Sequence, residues 1–353
     1  MEPQDSAKKQ YYGLDITKTV MAVLVIMIHR TPFANSTVNF VVKNIFGRLA
    51  VPFFFAAAGY LLFLKMQEDK SKNNKVFFQY FKRLVILYIV WTFLYMPAAA
   101  YRFDFGTYGI IKFFLNYAKR SVLQVSIIHL WYILALAVAV SVVYLLSKKI
   151  KVWSILVVGL LIFYLYISVT EFWQITGKYR AFSLLKAGIA AIPVDGIRNG
   201  IFLGLVFFAL GAFLATRGIC LKPAAKIFLT VFCLLLYVAE GIVRKKAGLT
   251  NGLDVSVTQV PAVFMLMVCA TQARLKPKKA YALMRQSNSL IYFSHLLIIT
   301  EWYHLIFDGT KLEGLSGTPV FFFSFTLAYT LAFSFTVIWL EKKRHFGFLK
   351  YIH

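Results

Sequence analysis

Residues 48–62 read RLAVPFFFAAAGYLL, and this stretch decides the fold class. After Arg48 it contains no charged side chain, and the apolar run continues to Leu64. A transmembrane helix needs about 20 mostly apolar residues, and Gly59 lies where a second helix can approach closely. The stretch therefore predicts a membrane-spanning helix that is packed inside a bundle.

The composition extends this prediction to the whole chain. Of its 353 residues, 60% are hydrophobic and only 15% are charged, whereas soluble domains are about 25% charged. We therefore predict an all-α integral membrane protein with about ten transmembrane helices in one bundle, forming a single domain over residues 1–353. The expected spans are 14–32, 49–65, 84–100, 127–147, 152–170, 199–216, 226–243, 255–272, 289–307 and 319–340.

The basic residues predict how these spans are oriented. The chain has 39 Lys and Arg against 14 Asp and Glu, and dense basic blocks such as 148–151 fall on the side of the N-terminus. Because cytoplasmic loops are enriched in Lys and Arg, we expect both termini in the cytoplasm. The weakest span is 255–272, which includes Pro261, and a re-entrant segment there would move the C-terminus outside. No cleavage pattern follows the first span, so we expect it to remain.

The sequence also argues against two functions and predicts two local features. The basic residues are dispersed over both sides of the membrane, which argues against a nucleic-acid partner. The three cysteines, Cys220, Cys233 and Cys269, are too far apart for a metal knuckle, and we expect no metal. Segment 108–118 predicts an amphipathic helix at the outer interface. The longest loop is expected at 171–198.

Ionisable residues inside spans are costly and tend to mark function. Lys18 and His29 are eleven residues apart, which places them on one helix face, about 16 Å apart along the axis. Asp15 lies three residues before Lys18, and we expect the two to pair. In the alternative interpretation, Lys18 and His29 simply reach the two headgroup layers.

Further strings join these residues along the chain. They are Arg48 to Leu62, Lys82-Arg83 before the third span, His129-Leu-Trp131-Tyr132, Arg198-Asn199-Gly200 and Ser289-Leu-Ile-Tyr292-Phe-Ser-His295. Together with Lys18 and His29, these strings resemble the acyltransferase 3 family of ten-helix membrane proteins, which acylate sugars and cell-envelope polymers. The strings are most similar to the membrane halves of serine racemases from vancomycin-resistance systems, which are linked to serine uptake.

Two positions depart from the family pattern. The family often has two arginines three residues apart before the third helix, and here Arg83 matches the second while Tyr80 stands at the first. The density of cations is therefore lower, unless Lys82 substitutes. Ala58 stands where the family often has Ser, so a hydroxyl there takes no part in the mechanism of this chain.

The resemblance implies a membrane acyltransferase that moves a short acyl group, such as acetyl, from cytoplasmic acyl-CoA to an extracytoplasmic glycan or other envelope acceptor. In that interpretation His29 is the general base or a transient acyl carrier. Lys18, Arg83, Lys82 and Asp15 serve the donor side. The residues expected to orient the acceptor or polarise the carbonyl are Arg48, His129, Arg198 and Glu301, and Glu301 is a candidate to set the tautomer of His129.

The sequence leaves open other roles for the histidines and other functions for the protein. His129 also fits an interfacial aromatic belt, and His295 and His304 also fit hydrogen bonding between helices. The second hypothesis is a membrane component for serine uptake that works with a separate racemase, and the third is a scaffold with a dead site. The expected partners are the lipid bilayer, acyl-CoA and a glycan or lipid-linked saccharide. We expect a multi-pass protein of a bacterial plasma membrane.

Overall fold

The computed structural model of the protein describes residues 10–101, 103–123, 128–249, 253–299, 306–307, 309–310 and 313–353. Throughout these residues the chain is helical and has no β-strand, which confirms the all-α class. The α-helices of the first half are α1 (Tyr12–His29), α2 (Ser36–Phe40), α3 (Ala50–Glu68), α4 (Asn73–Tyr101), α5 (Phe105–Leu123), α6 (Trp131–Ser147) and α7 (Val152–Thr170).

The second half continues with helices of more varied length. They are α8 (Trp173–Thr176), α9 (Arg180–Ala190), α10 (Asp195–Asn199), α11 (Leu205–Arg217), α12 (Pro223–Lys246), α13 (Gln259–Gln272), α14 (Lys279–Leu297), α15 (Glu313–Ser316) and α16 (Pro319–Glu341). Tighter 3-10 turns precede α6 at Ile128–Leu130 and follow α16 at Arg344–Tyr351.

In the described part of the chain, seven helical segments are long and apolar enough to cross a membrane. They are Tyr12–His29, Ser36–Glu68, Lys70–Tyr101, Val152–Thr170, Asp195–Arg217, Pro223–Lys246 and Pro319–Glu341. Each coincides with one of the ten predicted spans. Helices α6 and α13 are apolar but shorter, and the predicted span 289–307 overlaps α14 before it passes outside the described residues. The count of ten and the cytoplasmic termini stay predictions.

Helix α3 packs backbone to backbone against α11. A Cβ on Gly59 would overlap the carbonyl oxygen of Phe208, and one on Gly211 would overlap that of Ala56. Small residues at such crossings let helices approach closely, and this contact replaces the hydrophobic driving force that lipid does not supply. The prediction of a close approach at Gly59 is confirmed.

Helix α1 lies inside the bundle, in contact with α3, α13, α14 and α16. Its buried side chains include Leu14, Met21, Val25 and Ile26. Asn288 of α14 ties the two helices together, because its Nδ2 donates to the Asp15 carbonyl at 3.3 Å and its Oδ1 accepts from the Thr19 hydroxyl at 2.7 Å. The end of α1 that carries Asp15 and Lys18 is therefore held against α14.

Two helices enter the bundle through irregular turns. Before α3 the chain forms a π-helical turn, Val41–Ile45, and then a 3-10 turn, Phe46–Leu49. Before α11 it forms the π-helical turn Gly200–Gly204. Such turns recur at functional sites. Arg48 lies in the first of these entrances and Arg198 lies two residues before the second.

The segment 171–198, expected as the longest loop between spans, is largely helical. It contains α8, α9 and α10. Residues 171–194 lie between two of the candidate spans. Phe182, Leu185 and Ile189 recur at helical spacing, and Ile189 is buried. The predicted amphipathic segment 108–118 lies within α5, where Ile110, Ile111 and other apolar side chains are exposed. Its location at the outer interface stays a prediction.

Candidate functional site

Three histidines from distant parts of the chain meet inside the bundle. The ring centroid of His295 lies 5.2 Å from that of His29 and 5.3 Å from that of His129. His29 is the last residue of α1, His129 lies in the 3-10 turn before α6, and His295 lies in α14. The fold therefore joins two histidines that the sequence could only place at the ends of separate spans, and adds a third between them. We call these three residues the histidine cluster.

His295 has a defined hydrogen-bonding state. Its Nδ1 lies 2.6 Å from the carbonyl oxygen of Tyr292, and a carbonyl oxygen can only accept, so Nδ1 carries the proton. In a neutral ring, Nε2 is then an acceptor. We expected a hydrogen bond between helices, but this bond lies within α14, and the contacts of His295 with the two other histidines are ring contacts.

The histidine cluster has polar atoms that the surrounding protein leaves unsatisfied. His129 and His295 are 3% and 0% exposed. Among the residues that the structure describes, neither nitrogen of His129 has a hydrogen-bond partner, and nor has Nε2 of His295. Buried polar groups are nearly always paired. These nitrogens are therefore positioned to serve a ligand or water.

Aromatic rings enclose His129. The Tyr95 ring lies 5.1 Å away and the Tyr292 ring 5.9 Å away, both edge to face. The Tyr95 hydroxyl donates to the Phe293 carbonyl at 2.6 Å, and the Tyr292 hydroxyl donates to the His129 carbonyl at 3.2 Å. The His129 turn and α14 are thereby fixed to each other.

A cavity of about 360 Å³ lies on one side of the histidine cluster. We call it the inner cavity, because the charge pattern predicts that this side faces the cytoplasm. Lys18, Arg83 and Arg285 line it from α1, α4 and α14. Its apolar walls include Phe54 and Leu136. Tyr292 lines it as well, and the Tyr292 ring packs against those of His129 and His295, so the cavity extends from three cations to a residue beside the histidine cluster.

The expected donor-side residues are only partly brought together. Lys18 and Arg83 line the inner cavity, with Tyr80 and Ala58 beside them. Lys82 is exposed on α4 and does not line that cavity, because successive residues of a helix point about 100° apart. The lining of the inner cavity gives no support for Lys82 as a substitute for the missing arginine, and that role stays a prediction.

Asp15 pairs with a different residue from the one expected. Its carboxylate accepts from Nη2 of Arg285 at 2.7 Å and from Nε at 3.1 Å. We expected Lys18, three residues along α1, and this expectation is wrong. The guanidinium on α14 reaches Asp15 with a two-point geometry that a lysine three residues away on the same helix cannot match. Asp15 itself is 6% exposed.

Arg285 is a residue that the sequence analysis missed. Arg285, Ser289 and Tyr292 all line the inner cavity, and their spacings of four and three residues put them on one face of a helix. That stripe was the available signal.

On the other side of the histidine cluster lies a cavity of about 410 Å³, which we call the outer cavity. Its lining includes Arg48, Trp131, Tyr166, Glu171, Asn199 and Asp254. Nη1 of Arg48 forms an ion pair with Asp254 at 2.8 Å. Ile28, the neighbour of His29, and Trp131, two residues after His129, also line it. The cavity therefore lies against the residues that flank the histidine cluster.

The acceptor-side candidates differ in where they lie in the fold. Arg48 lines the outer cavity, whereas Arg198 pairs with Asp195 at 2.6 Å and leaves its neighbour Asn199 to line the cavity. His129 lies in the histidine cluster rather than in a surface belt of aromatic residues. Glu301 and His304 lie outside the described residues.

A buried ionic network closes the far wall of the outer cavity. Arg244 forms an ion pair with Glu171, and each side chain is only 3% exposed. Glu240 lies 3.7 Å from Arg244 and accepts from the backbone N–H groups of Val257 and Thr258, at 2.8 Å each. The carboxylate thus holds the start of α13. Sequence reasoning placed Glu171 in a loop and missed Arg244.

The histidine cluster is not a metal centre of the usual kind. Within the described residues, no group of three His, Cys, Asp or Glu side chains is arranged to hold a metal ion. The arrangement instead offers an imidazole acceptor between a cationic cavity and a cavity of mixed charge. A neutral imidazole in that position can take a proton from one reactant while a second reactant enters from the opposite side.

Comparison with known proteins gives a family match. Residues 11–339 match the model of the acyltransferase 3 family, described as an acyltransferase domain. The match covers almost all the described residues. It includes every member of the histidine cluster and all the residues that line the two cavities except His353.

Three curated relatives are amino-acid racemases. One amino-acid racemase of Enterococcus faecalis is 25% identical over 209 residues, covering 59% of this chain and 28% of the relative. A second from the same organism is 23% identical over 298 residues, covering 83% of this chain and 41% of the relative. A serine/alanine racemase of Enterococcus gallinarum is 26% identical over 225 residues, covering 56% and 28%. The chain thus spans less than half the length of these relatives. No solved structure matches it.

Proposed function

The chain belongs to the acyltransferase 3 family, and we propose that it transfers a short acyl group, such as acetyl, across the membrane. The donor is acyl-CoA in the cytoplasm. The acceptor is a hydroxyl or amine of an extracytoplasmic glycan or other cell-envelope molecule. The observation that carries this proposal is that each cavity reaches a neighbour of the histidine cluster. Tyr292, whose ring lies 5.9 Å from that of His129, lines the inner cavity, and Trp131, two residues after His129, lines the outer cavity.

The inner cavity suits the donor. Three cations from three helices line one end, and phosphate groups bind such side chains through charge-assisted hydrogen bonds. Apolar walls lead from the cations towards Tyr292 and the histidine cluster. An acyl-CoA with its phosphates at Lys18 and Arg83 therefore directs its pantetheine arm along those walls and its thioester towards His29.

The outer cavity suits a polar acceptor. Arg48 and Asp254 neutralise each other, and Asn199, Thr170 and the aromatic rings of Trp131 and Tyr166 complete the lining. Neutral hydroxyl groups can exchange hydrogen bonds with such a lining. A saccharide presented at the membrane, for example on a lipid carrier, meets this requirement.

The chemical step needs a base, and we assign it to His29. Its imidazole accepts the proton of the acceptor hydroxyl while the oxygen attacks the thioester carbonyl. The tetrahedral intermediate collapses by breaking the carbon–sulfur bond, and the proton passes from His29 to the leaving thiolate. The products are the acylated acceptor and free CoA. A neutral His129 ring has one N–H that no described residue accepts, and it supplies a donor near the developing charge.

The proposed topology follows from the same reading. We retain ten spans, with α6, α13 and α14 crossing together with the seven longer segments, and both termini in the cytoplasm. That orientation puts Lys18 and Arg83 on the side where acyl-CoA is made. A bacterial plasma membrane is the proposed location, and one domain carries the activity.

The test is release of CoA thiol from acetyl-CoA by purified protein in lipid, with and without crude envelope glycan. We expect release to require glycan and to be lost in His29→Ala. The matched control is His345→Ala, because His345 is an exposed histidine after α16. Glycan-dependent release that persists in a folded His29→Ala protein would refute the assignment of the base.

A second function has specific support in the names of the relatives. One of them is a serine/alanine racemase, and an amino acid carries both charges, as does the Arg48–Asp254 pair of the outer cavity. In this alternative the protein takes up serine for a separate racemase. Saturable serine flux into proteoliposomes without acyl-CoA, together with no thiol release, would favour it over acyl transfer.

A further inference from the structure

Arg285 stands where two cavities meet. Besides the inner cavity, it lines an adjoining cavity of about 210 Å³, together with Gln10, Asp15, Lys18 and Leu61. Lys18, Leu61 and Arg285 line both cavities. The guanidinium is therefore available to any anionic group that enters the mouth of the inner cavity, and its side chain is 41% exposed.

Asp15 and Gln10 orient this guanidinium. Nε donates to both Asp15 oxygens, at 3.1 and 3.2 Å, and Nη2 donates to Asp15 Oδ2 at 2.7 Å. Nη2 also reaches the Gln10 amide oxygen at 3.2 Å. These contacts use one edge of the planar fork, and the Nη1 edge remains to donate to a ligand. Because Asp15 is nearly buried, the orientation is fixed before any ligand binds.

The charges at this mouth do not cancel. Lys18, Arg83 and Arg285 line the inner cavity, and Asp15 is the acid that pairs with one of them. A surplus of positive charge in a partly enclosed, apolar-walled site attracts an anion more strongly than the same charges do in open water. The three cations also come from three different helices, so a ligand that bridges them would tie α1, α4 and α14 together.

We propose that Arg285 is a phosphate-binding residue of the donor site, acting with Lys18, and that Asp15 is its positioning residue. This rests on the proposed function, because it names a further contact for the same donor. The ligand chemistry is a phosphate oxygen, which a guanidinium edge binds through parallel N–H donors. Acyl-CoA has two sources of it, the diphosphate bridge and the 3′-phosphate of the ribose.

The experiment measures equilibrium binding of three probes to the full chain in lipid: CoA, 3′-dephospho-CoA and pantetheine, which has no phosphate. We expect Arg285→Gln to weaken CoA binding roughly tenfold, the size expected for loss of one charge-assisted hydrogen bond. Pantetheine binding is expected to stay unchanged. Arg285→Lys keeps the charge but loses the planar fork, and an intermediate affinity is expected. The control is Arg274→Gln, an exposed arginine on the same side that lines neither cavity.

The probes also locate the phosphate. If Arg285 holds the 3′-phosphate, the variant will bind 3′-dephospho-CoA as the wild type does, and if it holds the diphosphate, both nucleotides will weaken equally. Arg285→Gln leaves a buried carboxylate unpaired, so Asp15→Asn/Arg285→Gln serves as a second variant that removes both charges. Unchanged CoA affinity in a folded variant would overturn the inference. Absence of CoA binding to the wild type would instead defeat the proposed donor.

Discussion

The inner and outer cavities are both lined by residues next to the histidine cluster, but they differ in how their charges are balanced. Among the described residues, the inner cavity has no acid that forms an ion pair with Lys18 or Arg83, whereas Arg285 is paired with Asp15. In the outer cavity, Arg48 is paired with Asp254, and Glu171 is paired with Arg244. One cavity presents a surplus of positive charge, and the other presents balanced pairs.

This difference indicates what each cavity can bind. Uncompensated cations at the edge of a membrane are costly, and an anionic ligand offsets that cost when it binds. Paired charges are already stabilised and offer hydrogen bonds rather than a net field. This contrast supports the proposal of a polyanionic donor in the inner cavity and a hydroxylated, nearly neutral acceptor in the outer one, which would meet at the histidine cluster.

The largest expected effect tests that meeting point. Replacing His295 by Phe keeps a ring in the buried space but removes both nitrogens that face Tyr292 and the other histidines. We expect kcat for acyl transfer to fall by about 100-fold, because His29, the assigned base, loses the ring that contacts and orients it, while KM for either substrate changes little. Steady-state kinetics of thiol release would show this. A change in KM alone, with kcat unchanged, would contradict this prediction.

The next effect separates the two ion pairs of the outer cavity by burial. Arg244→Met leaves the Glu171 carboxylate buried and without its main partner, so we expect unfolding free energy to drop by about 3–5 kcal/mol. Arg48→Met leaves Asp254, which is 64% exposed, and should cost no more than about 1 kcal/mol. Denaturant unfolding in detergent micelles measures both. Equal losses of unfolding free energy would show that the buried Glu171–Arg244 pair stabilises the fold no more than the Arg48–Asp254 pair does.

A smaller effect separates donor binding from acceptor binding. We expect Arg83→Gln to raise KM for acyl-CoA roughly tenfold and to leave KM for the acceptor unchanged, since one charged hydrogen bond is removed. Arg48→Gln should do the reverse. Initial rates with each substrate varied in turn decide it. If both variants shifted both constants, the two cavities would not be separate sites.

The smallest effect is a dependence on salt. Because the inner cavity binds through surplus charge, higher ionic strength should weaken donor binding severalfold, whereas acceptor binding through balanced pairs should change little. Binding of CoA and of acceptor at low and high salt would measure it. Equal salt dependence of the two would remove the electrostatic contrast between the cavities.

Much of this arrangement could be predicted from the sequence, and the limits are physical. The apolar runs gave the all-α class and seven of the spans, because span length is set by the bilayer. The spacing of Lys18 and His29 placed one at each end of α1. Single-helix geometry contains no information about which side chain a neighbouring helix presents, so the Asp15–Arg285 pair was missed.

The site itself depended on tertiary packing in the same way. His129 and His295 were singled out, but their contact with each other and with His29 follows from the packing of α14 against α1 and from the turn before α6. Glu171 and Arg244 are 73 residues apart, and nothing in the local pattern links them. The helix at 180–190 could have been predicted from the sequence, because Phe182, Leu185 and Ile189 recur at helical spacing.

The central claim is that an acyl group passes from the inner cavity to the outer cavity by way of the histidine cluster. The most direct test uses inverted membrane vesicles with envelope glycan trapped inside and radiolabelled acetyl-CoA added outside. We predict labelled glycan in the lumen of these vesicles, none in right-side-out vesicles treated in the same way, and none with His29→Ala. Label that appears only on glycan placed on the same side as acetyl-CoA would contradict the account.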